Sequence, residues 1–315
     1  MSATGTPGLK QRTALLSVVS NSTLILLKLF AGVITGSVAI LTDAVQSSID
    51  LVASVVAFVS IRKADEPADE SHRYGHEKLE NLAAAIEGIL ILIGSAAIAF
   101  AAIRRLINNG QVTTLGLGIA VVAFSAVANI IVSSVLARNA RRTGSPALAA
   151  DAAHLRTDAV TSGGVLAGLV LLQITGARWI DGTVALIVAA ATMVTGVRLL
   201  SRASRVLVDE SLPAAEVDSI RSAIVQFGPR GVVGYHELRT RKAGARRYVD
   251  LHVQFRPGTS LEDAHRTAHE LQDVIGERLK GADVLIHLEP ADRVRPGEVL
   301  APARSGASQQ RPTGG

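Results

Sequence analysis

Cysteine is absent from the 315 residues, so neither a disulfide nor a thiolate ligand is available. Any bound metal must be held by His, Asp, Glu, Asn, Gln or backbone oxygen. Charge is scarce as well: Asp, Glu, Lys and Arg make up 19% of the chain against 48% hydrophobic residues, a balance more apolar than that of an ordinary soluble domain. The sequence H-E-x-x-H does not occur, which removes the metal-plus-base pair that an intramembrane metalloprotease requires. No cleavable signal is expected, because the first dozen residues are polar and the first apolar run is long enough to be a full span.

What is present is clustered. Apolar runs lie near 14–35, 38–61, 82–103, 115–136, 159–175 and 180–200, most of them near the ~20 residues needed to cross a hydrocarbon core of about 30 Å. The chain therefore reads as an α-helical membrane protein with six transmembrane helices over residues 13–208, preceded by a disordered N-terminus at 1–12. The net charge of +5 does not indicate nucleic acid. Its cations fall in alternate connections, at Lys10, Arg62, Lys63, Arg141, Arg142 and Arg205 among others, while the intervening connections carry few. By the positive-inside rule both termini are expected in the cytoplasm.

From residue 209 to 290 the pattern becomes that of a compact soluble domain. Pro213 opens an amphipathic helix to about Phe227, two strands follow at 232–240 and 247–255, then a helix at 260–280 and a strand at 284–289. In the second strand Val249, Leu251, Val253 and Phe255 alternate with Asp250, His252 and Gln254, the period of a half-buried strand. The order αββαβ suits helices on one face of a small sheet. Residues 291–315 lack periodicity and read as a disordered tail.

An ionisable side chain inside a span costs at least ~2.5 kcal/mol on insertion scales, so each one needs a reason. The second span holds Asp43, Gln46 and Asp50, at spacings of three and four; the fifth opens with Asp151, His154 and Asp158, again one helical face. Two facing helices would bring Gln46, Asp50, His154 and Asp158 to one point, where two carboxylates balance a dication and four donors suit a tetrahedral ion. Asp43 and Asp151 lie nearer the span ends and read as capping or interfacial groups, and Glu87 and Asn129 as interhelical glue. Asp69, His72 and His76 form D-x-x-H-x-x-x-H in a connection, a second three-ligand set. In the soluble domain His236, His252, His265, His287 and Glu289 are candidates for a third.

With these features in hand, the sequence resembles the cation diffusion facilitator family, in particular bacterial zinc- and iron-exporting members. The likeness covers about residues 12–290. It rests on the ordered set G-S-V-A-I-L-T-D from Gly36, Asp50, P-A-D-E-S-H-R-Y-G-H-E-K-L-E-N from Pro67, D-A-A-H-L-R-T-D from Asp151 and L-V-D-E-S-L-P from Leu207. The resemblance implies a homodimer in the bacterial inner (plasma) membrane, six spans per protomer and a C-terminal cytoplasmic ferredoxin-like domain. The expected function is efflux of a divalent transition metal, with Zn²⁺ the first choice as substrate and regulatory ligand and Fe²⁺, Co²⁺, Ni²⁺, Cd²⁺ or Mn²⁺ as others; because coordination requires deprotonated ligands, exchange for protons by alternating access is the expected mechanism. The transport site maps onto Gln46, Asp50, His154 and Asp158, a second site onto Asp69, His72 and His76, and a binuclear cytoplasmic site onto His236, His252, His265, His287 and Glu289. Lys78 and Asp209 match a charge pair that holds protomers together; His269 matches nothing. Gln46 departs from the Asp or His usual at its position, and Glu289 from an Asp. A metal-responsive scaffold or sensor with little transport is the competing reading.

Overall fold

A computed structural model describes residues 6–35, 38–108, 116–175, 179–291 and 298–299. It divides into two compact units, Met1–Val208 with Ala243–Ala245, and the remainder.

The first unit is built from six long helices: α1 Thr6–Thr35, α2 Val38–Ala64, α3 Lys78–Asn108, α4 Gly116–Thr143, α5 Pro146–Thr175 and α6 Trp179–Leu207. The shortest has 27 residues and the longest 31, about 40–47 Å at 1.5 Å per residue, longer than a bilayer core is thick. Four contain a stretch apolar enough to cross a membrane: Gly8–Ala31, Lys78–Arg104, Ala123–Thr143 and Gly182–Leu207. Among the described residues α2 and α5 contain none, and these two carry Asp50 and the pair His154 and Asp158.

Two boundaries differ from the sequence expectation, each for a local reason. Helix α1 begins at Thr6 rather than near residue 13, and Lys10 anchors that added turn. Its Nζ lies 2.8 Å from Glu80 Oε1 on α3 and 3.1 Å from Asp65 Oδ1 just past α2. Helix α5 begins at Pro146, thirteen residues before the apolar run. Ser145 precedes it and its Oγ accepts from Leu148 N, so a serine cap followed by proline in the first turn starts the helix.

Helix α3 packs most extensively on α6, α4 on α5 and α1 on α2. Small residues allow the α3–α6 approach: a Cβ added to Gly88 would stand 2.9 Å from Leu200 N, and one on Gly196 would stand 3.0 Å from the Leu92 side chain. Gly88→Val must therefore push the two backbones apart. An overpacking cost of about 1–3 kcal/mol is expected, read as a lower melting temperature of the detergent-purified protein.

The second unit contains α7 Ala214–Gln226, β1 Val232–Ala243, β2 Arg246–Phe255, α8 Leu261–Arg278, β3 Asp283–Pro290 and the short β4 Glu298–Val299. Pro213 is the N-cap of α7, and Ser260 caps α8 by accepting from Asp263 N at 3.1 Å. The sheet order is β3-β2-β1-β4, with β2 and β3 parallel and β1 and β4 antiparallel. β4 is a correction: two residues of the expected tail return to the sheet edge, where Gly234 pairs with Val299. One face of the sheet buries Val249, Leu251 and Val253 against Ile220 and Ile224 of α7 and Leu271 and Ile275 of α8. The alternation read from the sequence makes the other face polar, and that face carries His252.

Candidate metal centres

The first cluster joins α2 and α5. Asp50 sits mid-helix in α2, while His154 and Asp158 lie one turn apart on α5. His154 Nε2 is 3.2 Å from Asp50 Oδ1 and 3.9 Å from Asp158 Oδ2. Asp50 and His154 are buried, and neither His154 Nδ1 nor Asp158 Oδ2 has a hydrogen-bond partner. All three ligand atoms fall within 4.8 Å of one another. The set offers one imidazole nitrogen and two carboxylates, a donor set that suits a borderline divalent ion. Gln46 stands on α2 one turn before Asp50, but its side chain, like that of Asp43, lies outside the described residues.

Around this cluster the apolar helices enclose more polar groups than the span-by-span reading anticipated. Asp151 is a correction: it is wholly buried rather than interfacial. Ser54 Oγ of α2 donates to Asp151 Oδ1 at 3.1 Å, and Ser54 also meets Ser17 and Asn21 of α1 at 3.0 and 2.8 Å. Because α5 starts early, Asp151 is already within the bundle where α1 and α2 cover it. Glu87 is fully buried and its carboxylate oxygens have no hydrogen-bond partner, so its expected role as hydrogen-bonding glue is not seen. Lys28 was missed. It is buried on α1, and its Nζ donates to Ser47 Oγ of α2 at 2.6 Å. A lysine inside the first apolar run is the same costly signal that marked Asp50.

The second cluster lies in the connection between α2 and α3. Backbone N–H groups of His72 and Ser71 donate to Asp69 Oδ1 at 2.6 and 2.9 Å, and these bonds hold the Asp69 carboxyl below the usual aspartate range. The same turn brings His72 Nδ1 within 3.2 Å of Oδ1 and His76 Nε2 within 3.2 Å of Oδ2. All three expected ligands converge.

The third cluster is set by strand register. Pairing of β2 with β3 puts His252 opposite His287 and Gln254 opposite Glu289, and the two imidazole centroids are 4.6 Å apart. Glu289 bridges: Oε2 lies 2.6 Å from His236 Nε2, and Oε1 lies 2.7 Å from His252 Nδ1 and 3.6 Å from His287 Nε2. Glu237, not singled out in the sequence, lies 3.7 Å from His252 Nε2. It holds a left-handed backbone (φ 50°) inside β1, a conformation uncommon for a residue other than glycine. His265 is not part of this group. It lies exposed on α8 beside His269, and α8 covers the apolar face of the sheet while the cluster occupies the polar one.

Burial pushes the Glu289 carboxyl up, but the hydrogen bonds with His236 and His252 outweigh it and hold the group below the usual glutamate range. A depressed carboxylate contributes stability that is complete above its unfolded value and lost as pH falls through the folded one. Acid titration of the domain, followed by near-ultraviolet circular dichroism, should therefore show a loss of stability below the ordinary carboxylate range. Glu289→Gln should flatten it.

Of the remaining expected residues, Lys78 opens α3 and its Nζ donates to Leu207 O at 3.4 Å. Asp209 Oδ1 lies 3.7 Å from Arg241 Nη1.

Residues 14–208 match the family model for the cation efflux transmembrane domain, and residues 212–291 match that for the cation efflux protein cytoplasmic domain. Transporter sll1263 of Synechocystis is 36% identical over 266 residues, covering 84% of this chain and 86% of that protein. The cation-efflux pump FieF of Salmonella typhimurium is 33% identical over 287 residues, covering 91% and 94%. The solved CzrB protein in its zinc form is 33% identical and covers 28% of this chain and 99% of that one, at a TM-score of 0.26.

Proposed function

The chain belongs to the cation efflux family, a family of membrane-integral transporters with a dimerising cytoplasmic domain, and from that premise we propose that it exports Zn²⁺ in exchange for protons. The observation that carries this reading is the set Asp50, His154 and Asp158, the first two buried and the third half-buried, drawn together between α2 and α5. A dication within the bilayer needs its charge compensated, and here two carboxylates can offset what apolar surroundings cannot solvate. Gln46, one helical turn before Asp50 on α2, is assigned as a fourth ligand from its place in the sequence; its amide is neutral, so such a set carries less negative charge than an all-ionised one. Proton exchange follows from the ligands themselves. Metal binds deprotonated Asp50, His154 and Asp158, and protons arriving from the outward side compete at the same atoms.

The clusters at Asp69, His72 and His76 and at His236, His252, His287 and Glu289 are read as sites that load when cytoplasmic metal rises and favour the transport-competent dimer. Lys78 and Asp209 are assigned to the contact between protomers, in an inner membrane with both termini cytoplasmic. The cation-efflux pump FieF, 33% identical over 91% of this chain, is consistent with a cation cargo.

The test is metal-by-metal uptake into proteoliposomes with a pH-sensitive dye inside. Zn²⁺ flux with opposite proton movement is expected, and Gln46→Asp should change the order of preference among Zn²⁺, Fe²⁺, Co²⁺, Ni²⁺, Cd²⁺ and Mn²⁺. Zn²⁺ flux without proton counterflow would overturn the exchange scheme. Absence of flux for every metal would favour the scaffold or sensor reading.

A further inference from the structure

Lys28 is the buried charge that the exchange scheme leaves unused. It lies within the apolar stretch Gly8–Ala31 of α1, where an ammonium group is costly. Its neighbours Leu26, Leu27, Leu29 and Phe30 are exposed, whereas Lys28 is buried. Ser17, Asn21 and Lys28 follow one another at spacings of four and seven residues and all three are buried, so they form one inward stripe of α1. A lysine near the end of a span ordinarily extends its stem toward the interface; this one is turned inward.

The stripe meets a matching face of α2. Ser47, Asp50 and Ser54 stand there at spacings of three and four residues. Ser17 and Asn21 contact Ser54 at 3.0 and 2.8 Å, and Lys28 Nζ donates to Ser47 Oγ at 2.6 Å. The two serines therefore bracket Asp50, one turn to either side, and Lys28 is held on the side of the α1–α2 connection. Ser47 is neutral, so its bond fixes the ammonium without cancelling the charge. That charge acts on Asp158, the α5 carboxylate that shares His154 with Asp50. A positive group thus stands beside the carboxylates assigned to the cargo, in a medium that screens it poorly.

We infer that Lys28 sets the affinity of the transport site, as a tethered cation that offsets the carboxylates when no ion is bound and opposes the ion when one is. The inference rests on the transport role proposed for Asp50, His154 and Asp158. Two carboxylates in an apolar enclosure hold a dication firmly, and a transporter must also release it. Repulsion from a fixed ammonium raises the bound ion in energy and leaves the ion in water unaffected, so it weakens binding and speeds dissociation. An ammonium has no lone pair to offer a metal. Lys28 is therefore an affinity-determining group acting through space, not a ligand.

The experiment titrates the full chain in detergent with Zn²⁺ alone, by calorimetry at one fixed pH, and identifies the transport site as the ion that Asp50→Ala removes. Lys28→Gln keeps a donor for Ser47 and loses the charge. It is expected to bind that ion at least about tenfold more tightly, as removal of a poorly screened like charge requires. In proteoliposomes its apparent KM and its maximal flux should both fall, because release is slowed. Lys28→Met, neutral and apolar, is the second variant and should tighten binding in the same way. Lys28→Arg, which restores the charge, should restore the affinity to within a few fold of wild type. Unchanged or weaker binding in the neutral variants overturns the inference and leaves Lys28 as a link between α1 and α2. Lys28→Arg binding as tightly as Lys28→Gln also overturns it, since charge would then not be the cause. A wild type with no Asp50-dependent ion would sink the transport-site reading together with this one, whereas such an ion bound equally with and without Lys28 sinks the role of Lys28 alone.

Discussion

Asp50→Ala is expected to reduce metal flux at least about 100-fold while leaving the protein folded. With Asp50 and Asp158 both ionised, a dication between α2 and α5 is balanced; with one removed, a net charge stays in an apolar enclosure. Leaving such a charge uncompensated costs several kcal/mol, and each 1.4 kcal/mol is a factor of ten in binding. Asp50 Oδ1 is also the closest carboxylate oxygen to His154 Nε2, at 3.2 Å, so the imidazole loses its orienting partner as well. The check is initial-rate flux in proteoliposomes beside a Zn²⁺ binding count on the same preparation. Binding at the clusters outside the helices should persist. Flux within a few fold of wild type would remove Asp50 from the transport site.

Lys10→Met should strongly destabilise the helical unit. Lys10 is largely buried and bridges two carboxylates, Glu80 at 2.8 Å and Asp65 at 3.1 Å. Asp65 keeps a second donor, Gln11 Nε2 at 3.2 Å. Glu80, 1% exposed, keeps only the Ser145 hydroxyl among the partners seen here. Removing one member of a buried pair costs about 3–5 kcal/mol, because the other is left charged and unpaired. Thermal unfolding in detergent should show the loss. Lys10→Met combined with Glu80→Gln should recover part of it, since the most deeply buried carboxylate is then neutral and only Asp65, still held by Gln11, stays charged; a double variant no better than the single one would show that Lys10 acts through packing alone.

Much of this protein was legible in its sequence. Apolar runs located the helices, a period of two located β2, and the cost of ionisable groups in spans singled out Asp50, His154 and Asp158. The spacing of Asp69, His72 and His76 sufficed to bring those three side chains together, because a single turn closes that cluster locally. These features depend on neighbours within a few residues, or on an energetic penalty that a single position reveals.

What the sequence could not decide depends on partners far along the chain. Lys10 reads as one more cation of a basic connection; only the packing of α1 against α2 and α3 makes it a cross-link. Asp151 reads as interfacial until the early start of α5 carries it beneath Ser54 and Ser17. The five residues expected to share one cytoplasmic site were separated by the sheet itself. Parallel register between β2 and β3 gathers His252, His287 and Glu289 on the polar face, whereas α8 packs on the apolar face and leaves His265 with His269. Alternation told which face of a strand each side chain takes, but which face the helix covers is fixed by burial of Leu271 and Ile275 against Leu251 and Val253. That burial is a property of the folded domain as a whole, and it determines which histidines can meet within one chain.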